Sequence, residues 1–410
     1  MEVRFERLRP TFFKGSRITG LSASREGGSC LSAKEVFVRP RLLSLVRGQF
    51  VMSEIRVEGA RLVLVDTPRS QTQAVTDTKT QVSLVKNGKP RLGIRRLILE
   101  NAAFDWIDAK GKARIQMEGI ELNLSNHGVE AGDGILRIAR GTFYEVLPFQ
   151  NLEAPIHISG GLYSCAPVRA ISGGGTLEAS LEVNPRQQDI PFSATAEARD
   201  VDLERISQEI PSLRSTGKAQ GKITLAGLLK NADTLRGEGV CTLENGILKG
   251  LGVLQSIGQV FQISELANLK VKKASAQFSI ANRKVLLNEL FVDGSDLTIS
   301  APGEIDFEQR LNLNGKLALP EKMLSGKAIQ AFSDKFSPTD ASGFRSIVFQ
   351  VTGTVDKPKT NLLQKLVGDN LGGVINSLLG GFLKPKRTEP APPKETPSPD
   401  SSTPTPTTPK

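Results

Sequence analysis

The sequence alternates apolar and polar residues in short runs along most of its length. From Leu297 to Leu319 the apolar residues occupy odd positions, with Ala318 as the exception, and "GGTLEASLEVNP" again places an apolar residue at every second position. Because alternate residues of a strand point to opposite faces of a sheet, each run predicts a strand with one apolar face. Gly, Asn, Asp and Pro interrupt the runs, as is typical of turns. The pattern therefore predicts a mainly β fold.

The number of runs limits how the strands can be arranged. About twenty strands spaced about 4.8 Å apart would form a sheet roughly 95 Å wide. Open twisted sheets seldom stay flat beyond about ten strands, so this sheet must curl, split or be covered. Two arrangements are open at this point. One is a sandwich or solenoid with a dry core, and the other is a long antiparallel sheet curled into an apolar groove that acyl chains complete.

Composition and local sequence argue against a nucleic acid partner, a transmembrane helix and a signal peptide. The net charge of +10 favours anionic partners, but aromatic residues make up only 5% of the 410 residues, which leaves few platforms for base stacking. We therefore expect no nucleic acid partner. No run of 18 apolar residues occurs, so no transmembrane helix is expected, and "MEVRFERLRP" does not resemble the start of a signal peptide.

A few segments depart from the alternation. Residues 67–92 are polar and predict a surface loop, and residues 384–410 are rich in Pro, Thr and Ser and predict a disordered tail. Spacing of three and four predicts helices over 248–261 and 320–336. A third, Gly-rich amphipathic helix over 362–382 either caps the end of the groove or contacts a membrane or partner, for which the candidate residues are Leu363, Val367, Leu371, Val374, Leu378 and Phe382.

Turn residues predict where some strands connect. A Lys-Gly turn is expected at 110 and 111. The phrases "LILENAAFDWI", "CTLENGILKG" and "FSIANRKVLL" share a pattern in which an Asn-containing turn joins two apolar strands. Together these phrases predict hairpins added one after another along a growing sheet.

The sequence carries almost no catalytic or ligand-binding motif. The two histidines, His127 and His157, are predicted to be structural or solvated, and no nucleophile motif or phosphate-binding loop occurs. Cys30, Cys165 and Cys241 lack metal-binding spacing and are predicted to be separate buried thiols, with one disulfide and a spare thiol as the alternative in an oxidising compartment. We therefore expect no enzyme activity, no catalytic residue, no cofactor and no metal.

Four phrases resemble AsmA-like proteins. "LENGILKGLGVLQSIGQVFQI", "ASAQFSIANRKVLLNELFVDGSDLTISAPGEIDFEQRLNLNGKLAL" and "IVFQVTGTVDKPK" resemble the C-terminal region of that family. "VRPRLLSLVRGQFVMSEIRVEGARLVLV" resembles its N-terminal part, with a short helix at Leu42–Leu45 and a hairpin from Ile55 to Val65. The family consists of bacterial envelope proteins related to bridge-like lipid transfer proteins with a repeating β-groove. The resemblance implies a periplasmic, inner-membrane-associated protein, with its anchor outside this sequence, that acts in phospholipid transport or outer-membrane assembly.

The resemblance favours the groove over the sandwich and predicts six segments. These are an N-terminal β module (1–66), a polar loop (67–92), a middle β-repeat region (93–240), an AsmA-like C-terminal region (241–358), an amphipathic helix (359–383) and a tail (384–410). The alternative is a structural or interaction β protein of the envelope without bound lipid. The candidate groove lining is Leu297, Ile299, Ile305, Phe307, Leu311, Leu313, Leu317, Leu319, Leu177, Leu181 and Val183.

Overall fold

The computed structural model describes most of the chain outside the two long polar segments. The described residues are 2–11, 15–25, 27–41, 44, 51–66, 93–127, 130–210, 215–249, 268–295, 297–324, 333–355 and 357–367. The predicted loop (67–92), the predicted tail (384–410) and most of the predicted helix 359–383 lie outside these residues. The β structure lies in the compact unit Met1–Leu363.

The fold is mainly β, as predicted, and its described strands join a single sheet of 23 strands. The first twelve are β1 (Glu2–Arg4), β2 (Arg7–Arg9), β3 (Ser16–Ser24), β4 (Cys30–Pro40), β5 (Val51–Glu58), β6 (Arg61–Val65), β7 (Gly93–Ile94), β8 (Arg96–Ile107), β9 (Ala113–Asn126), β10 (Ala131–Phe143), β11 (Leu147–Ser159) and β12 (Leu162–Ser172). The others are β13 (Gly175–Val183), β14 (Pro191–Asp202), β15 (Thr216–Leu228), β16 (Asn231–Lys249), β17 (Asn268–Ala281), β18 (Lys284–Gly294), β19 (Thr298–Ser300), β20 (Gly303–Asp306), β21 (Leu311–Pro320), β22 (Phe344–Gly353) and β23 (Pro358–Thr360).

Helices are short in the described part of the chain. They are α1 (Leu203–Glu209), α2 (Glu321–Leu324), a 3₁₀ turn (Ser333–Lys335) and α3 (Leu362–Val367). The predicted helix over 248–261 is wrong at its first residue, because Leu248 pairs with Leu269 inside β16. Its other apolar positions, Leu251, Leu254, Ile257 and Phe261, lie outside the described residues.

Strands follow one another across the sheet in chain order. From β8 to β18 every strand pairs antiparallel with the next one. Four positions hold two short consecutive strands each, so the 23 strands occupy nineteen successive positions. At about 4.8 Å per strand, these positions span about 86 Å along the sheet. The strands of all three predicted β segments contribute to this one sheet.

One part of the sheet is parallel, which the sequence did not predict. β5 and β6 both run parallel to β8, with Ile55 opposite Leu97 and Val63 opposite Asp105. A parallel return needs a connection of a dozen or more residues, and the long polar segment between β6 and β8 supplies it. The predicted hairpin from Ile55 to Val65 is therefore wrong.

Asparagine in this protein marks bulges as well as turns. Asn282 lies in a hairpin turn between β17 and β18, as predicted, and the turn around Gly111 joins β8 to β9. Asn101 and Asn245 instead lie inside β8 and β16 with φ of 50° each, so the predicted turns there are wrong. Asn tolerates positive φ, and an extra residue in this conformation makes a bulge without reversing the chain.

Bulges line up across neighbouring strands. Five residues with positive φ lie along one line across the sheet, in β3, between β5 and β6, and in β8, β9 and β11, and we call them the bulge line: Gly20 (64°), Gly59 (61°), Asn101 (50°), Gly119 (63°) and Asn151 (52°). Each bulge bends its strand and increases its local twist. Apolar side chains stay on the same face on both sides of the line, since Leu136 and Ile138 pack in one cluster with Met117 and Phe149.

The bulge line predicts a position-dependent cost for adding a methyl group. In Gly119→Ala the new Cβ would lie 2.7 Å from the Ala139 Cβ at φ +63°, so we expect a loss of about 1–3 kcal/mol in unfolding free energy. Gly111→Ala is the matched control, because Gly111 also has positive φ (+77°) but no atom lies within 4 Å of its added Cβ. Urea unfolding of both variants measures the difference. Equal losses would show that close packing at the bulge line contributes nothing.

Candidate functional site

An apolar row crosses most of the sheet. In sheets, residues directly opposite each other on neighbouring strands lie on the same face. Following these partners from β4 to β21 links fifteen residues without a charged side chain. We call them the central row: Val38, Ile55, Leu97, Leu124, Gly134, Ile156, Cys165, Leu181, Ala194, Leu225, Gly237, Ile280, Val285, Ile305 and Leu311.

Within the described part of the chain, no second layer of protein covers the central row. None of its residues is buried, and Leu181 is 38% exposed. The row belongs to one face of the sheet, which we call the apolar face. A continuous, half-exposed apolar row of this length is unusual for a face in contact with water alone.

A second row of apolar residues lies six or more residues nearer one end of the strands, and all of them except Ala219 and Ala274 are buried. This terminal row shares the apolar face and comprises Val201, Ala219, Leu243, Ala274, Val292, Ile299, Leu317 and Ile347. Leu317 is 0% exposed and Ile347 is 5% exposed. The apolar face therefore has two parts, a dry core near this end and an uncovered strip across the middle.

Helix α1 helps to close the buried end. It contacts β11 and β15, and its one buried residue, Ile206, is 1% exposed. The Asp202 side chain accepts a hydrogen bond from the Glu204 amide at 3.0 Å and caps the helix. A short helix can thus lie across the strands because its cap and a single apolar side chain hold it there.

The structure divides the eleven predicted lining residues into two groups. Leu297, Ile299, Leu313, Leu317 and Leu319 are at most 8% exposed and are buried by the protein itself. The others are half-buried or exposed on the apolar face or at its margin: Ile305, Phe307, Leu311, Leu177, Leu181 and Val183. Only the second group is available to a ligand.

The predicted helix residues are only partly described. Leu363 and Val367 belong to α3 by their backbone. The remaining four, Leu371, Val374, Leu378 and Phe382, lie outside the described residues.

The opposite face carries a ladder of charges. Successive cross-strand partners from β9 to β15 are Glu121, Arg137, Glu153, Arg169, Glu178, Glu197 and Lys222. Arg137 Nε lies 3.0 Å from Glu153 Oε2, and both side chains are more than half exposed. Exposed pairs of this kind stabilise a fold by only about 0–1 kcal/mol each. Their main consequence is that this charged face is solvated, which leaves the apolar face as the candidate binding surface.

The cysteines lie on both faces of the sheet and none forms a disulfide. Cys165 belongs to the central row, and Cys241, opposite Gly221 and Ala276, also lies on the apolar face. Cys30 lies on the charged face and is exposed, as is Cys241, so the prediction of three buried thiols is wrong. Desolvation by neighbouring strands raises the pKa of the Cys165 and Cys241 thiols.

Both histidines of the chain contact one aspartate on the charged face. His157 Nδ1 lies 2.6 Å from Asp133 Oδ1, and His127 Nε2 lies 3.4 Å from Asp133 Oδ2. The hydrogen bond with His157 lowers the pKa of the Asp133 carboxyl more than partial desolvation raises it. Both histidines are exposed, so they occupy the solvated environment, which is one of the two environments predicted for them. Their meeting could not be foreseen, because it depends on the register that places Asp133 opposite His157.

The described residues contain no metal site, and no known protein points to another candidate site. Within the described ranges, no group of three or more His, Cys, Asp or Glu residues could hold a metal ion. No helix in the described part of the chain has the length and hydropathy needed to cross a bilayer. No family model, curated protein or solved structure matches the chain.

The division of the apolar face predicts opposite outcomes for two Leu→Glu variants. Leu317→Glu would bury a carboxylate at a position that is 0% exposed, and we expect it to cost several kcal/mol and to unfold the protein. Leu181→Glu, at a position that is 38% exposed, is expected to cost about 1 kcal/mol or less. Circular dichroism and urea unfolding measure both. Val240→Glu, at a 46% exposed position on the charged face, is the control. Unfolding of Leu181→Glu would show that the central row is also dry core.

The contact between His157 and Asp133 predicts a change in titration. Because the folded-state pKa of Asp133 is lowered, its contribution to stability is present above the ordinary carboxyl pKa and is lost as pH falls through the lowered value. We expect His157→Asn to raise the Asp133 pKa, and His127→Asn to raise it less because that contact is longer. Carboxyl NMR titration measures both. Asp108 is the internal control, since its pKa is lowered mainly by the Lys112 backbone amide and should not change.

Proposed function

We propose that this protein binds the acyl chains of lipids on its apolar face. In this proposal it acts in phospholipid transport between membranes or in outer-membrane assembly, as a periplasmic, inner-membrane-associated protein of the bacterial envelope. The proposed location and pathway rest on the sequence resemblance to AsmA-like proteins. The proposed ligand rests on the chemistry of the face. No catalytic residue takes part, because the apolar side chains themselves form the site.

The observation that carries the proposal is the uncovered central row. Fifteen adjacent positions at about 4.8 Å spacing give an apolar strip about 67 Å long. The acyl region of one bilayer leaflet is about 15 Å thick, half of a hydrocarbon core of about 30 Å. A strip of this length could therefore hold several acyl chains in sequence. A row of single apolar contacts also suits a mobile ligand, because it offers no polar group that would fix one position.

Lipid chains would remove the unfavourable contact of this strip with water. Burial of apolar surface stabilises by about 25 cal/mol per Å². The ligand gains in the same way when its chain leaves water. The solvated charged face explains why binding on the other side of the sheet is not expected, since acyl chains would have to displace water from Glu and Arg side chains.

The alternative is a structural or interaction protein of the envelope that holds no lipid. The buried terminal row favours this alternative locally, because there the protein covers its own apolar residues. The residues of the central row from Ile55 to Ile305 are not buried by the protein in this way. The two functions differ in whether lipid protects the central row from solvent.

The native cysteines provide a test of lipid binding. We expect a lysophospholipid, added below its micelle concentration to delipidated protein, to slow maleimide labelling of Cys165 and Cys241 by roughly tenfold at high occupancy. Labelling of Cys30 on the charged face should stay unchanged, which makes it an internal control in the same sample. Mass spectrometry of the labelled peptides gives the three rates separately.

Two further variants sharpen the result. Leu225→Glu places a charge in the central row and should abolish protection of Cys165 and Cys241, whereas Leu286→Glu, 47% exposed on the charged face, should leave it intact. Labelling rates that lipid leaves unchanged at all three cysteines would favour the structural alternative. Equal slowing of all three, including Cys30, would mean aggregation and would equally contradict binding on the apolar face.

A further inference from the structure

The turn between β10 and β11 has an unusual sequence for its backbone conformation. Its central residues, Tyr144 and Glu145, have φ of 53° and 57°, and the Val146 amide donates to the Phe143 carbonyl at 3.1 Å. Positive φ at both central residues defines a type I′ turn, for which Asn and Gly are strongly preferred.

Other described turns follow that preference at their first central residue. Positive φ also occurs at both central residues in the turns Gly160–Gly161, Gly173–Gly174 and Asn282–Arg283. A bulky residue in this conformation is strained, and such strain is often kept where a side chain has a function. The turn thus keeps the Tyr144 and Glu145 side chains although their backbone conformation is strained.

Those side chains point into solvent. Tyr144 is 55% exposed and Val146 is 51% exposed. The Tyr144 amide donates to the Arg114 carbonyl at 2.6 Å, and the Arg114 guanidinium lies 5.3 Å from the centre of the Tyr144 ring. An exposed aromatic ring is therefore held in place by the neighbouring hairpin.

The neighbouring hairpin, between β8 and β9, displays two lysines. The Asp108 carboxylate accepts from the Lys110 and Lys112 amides at 2.8 and 2.9 Å, and also from Arg114 Nε at 2.8 Å. This pairing neutralises Arg114 and fixes the turn. Lys110 and Lys112 are exposed, and neither forms an ion pair within the described residues. Two free positive charges therefore lie beside one exposed acidic residue, Glu145.

We propose that these two hairpin tips dock onto an anionic lipid bilayer. The ring of Tyr144 and the side chain of Val146 would enter the interfacial region, where amphipathic aromatic side chains are favoured. Lys110 and Lys112 would approach the lipid phosphates, to which basic residues near a membrane surface are attracted. The combination of an aromatic ring, an aliphatic side chain and adjacent lysines fits a charged membrane better than a protein surface, since the apolar area is small.

Docking at this place would position the apolar face. The single Trp of the chain, Trp106, lies opposite Ile115, next to Arg114, so it is near the same end of the strands. In the proposed function this end would face the membrane that supplies or receives lipid. The docking itself does not depend on lipid occupying the central row, so the two proposals can fail separately.

The test is flotation of the full chain with vesicles. We expect wild type to float with vesicles of phosphatidylcholine and phosphatidylglycerol at low salt. The double variant Tyr144→Asn/Glu145→Gly should lose most of this binding, while its thermal midpoint rises because the turn is relieved of strain. Gain of stability with loss of flotation cannot result from misfolding. Tyr163→Ala is the matched control, because Tyr163 is 41% exposed near the opposite end of the strands, and it should float like wild type.

The same flotation assay tests the role of the two lysines, and cysteine labelling tests whether docking is independent of lipid binding on the central row. Lys110→Gln/Lys112→Gln should reduce flotation with anionic vesicles. Wild type that does not float, a double turn variant that floats like wild type, or equal loss in Tyr163→Ala would each overturn the docking proposal. Cysteine protection by monomeric lysophospholipid should persist in the double turn variant. If lysophospholipid does not protect the cysteines of wild type although wild type still floats with vesicles, the proposed function is rejected and the docking proposal is retained.

Discussion

The register between neighbouring strands is the constraint on which the rest of the structure depends. Side chains alternate with a period of two, so a slip of one residue between two strands would exchange the apolar and charged faces. In this protein the partners of Leu181 and Leu225 on either side are also small or apolar, and the partners of Arg137 are glutamates. Both patterns favour the same register. Neither would suffice alone, because exposed ion pairs stabilise weakly and an uncovered apolar row buries only part of its area.

Bulges reconcile long strands with a constant apolar face. A strand such as β8, from Arg96 to Ile107, is long enough for twist to change its direction relative to its neighbours. The residue added at Asn101 lets Leu99 and Ala102 lie on the same face although they are three positions apart in sequence. Because the bulges of several strands between β3 and β11 lie along one line, the sheet bends at that line while the strands stay paired on both sides of it. The close approach of Gly119 to Ala139 is part of this arrangement.

The candidate site is the part of the apolar face that the described chain leaves uncovered. Near one end, helix α1 and the cluster around Phe149 bury the apolar face, and Phe143 stacks on Phe149 with ring centroids 4.9 Å apart. Across the middle the described chain provides no such cover. The proposed membrane contact does not compete with the proposed ligand, because both exposed hairpin tips lie at one end of the strands and the uncovered strip crosses the middle of the sheet. The charged face completes this division by keeping one side of the sheet in water.

By itself, the sequence determined that the fold is mainly β, where many of its strands lie, and which side of each strand is apolar, because these features depend on local alternation and turn residues. It also indicated that the chain lacks obvious catalytic motifs. Whether Leu317 is core and Leu181 is uncovered, although both stand in equally regular alternation, was decided only by the tertiary structure, since burial depends on which elements pack above a strand. The same holds for Asn101, which a short phrase cannot distinguish from a turn residue, and for the meeting of both histidines at Asp133. Such features arise from pairing between residues distant in sequence, and only the folded sheet establishes that pairing.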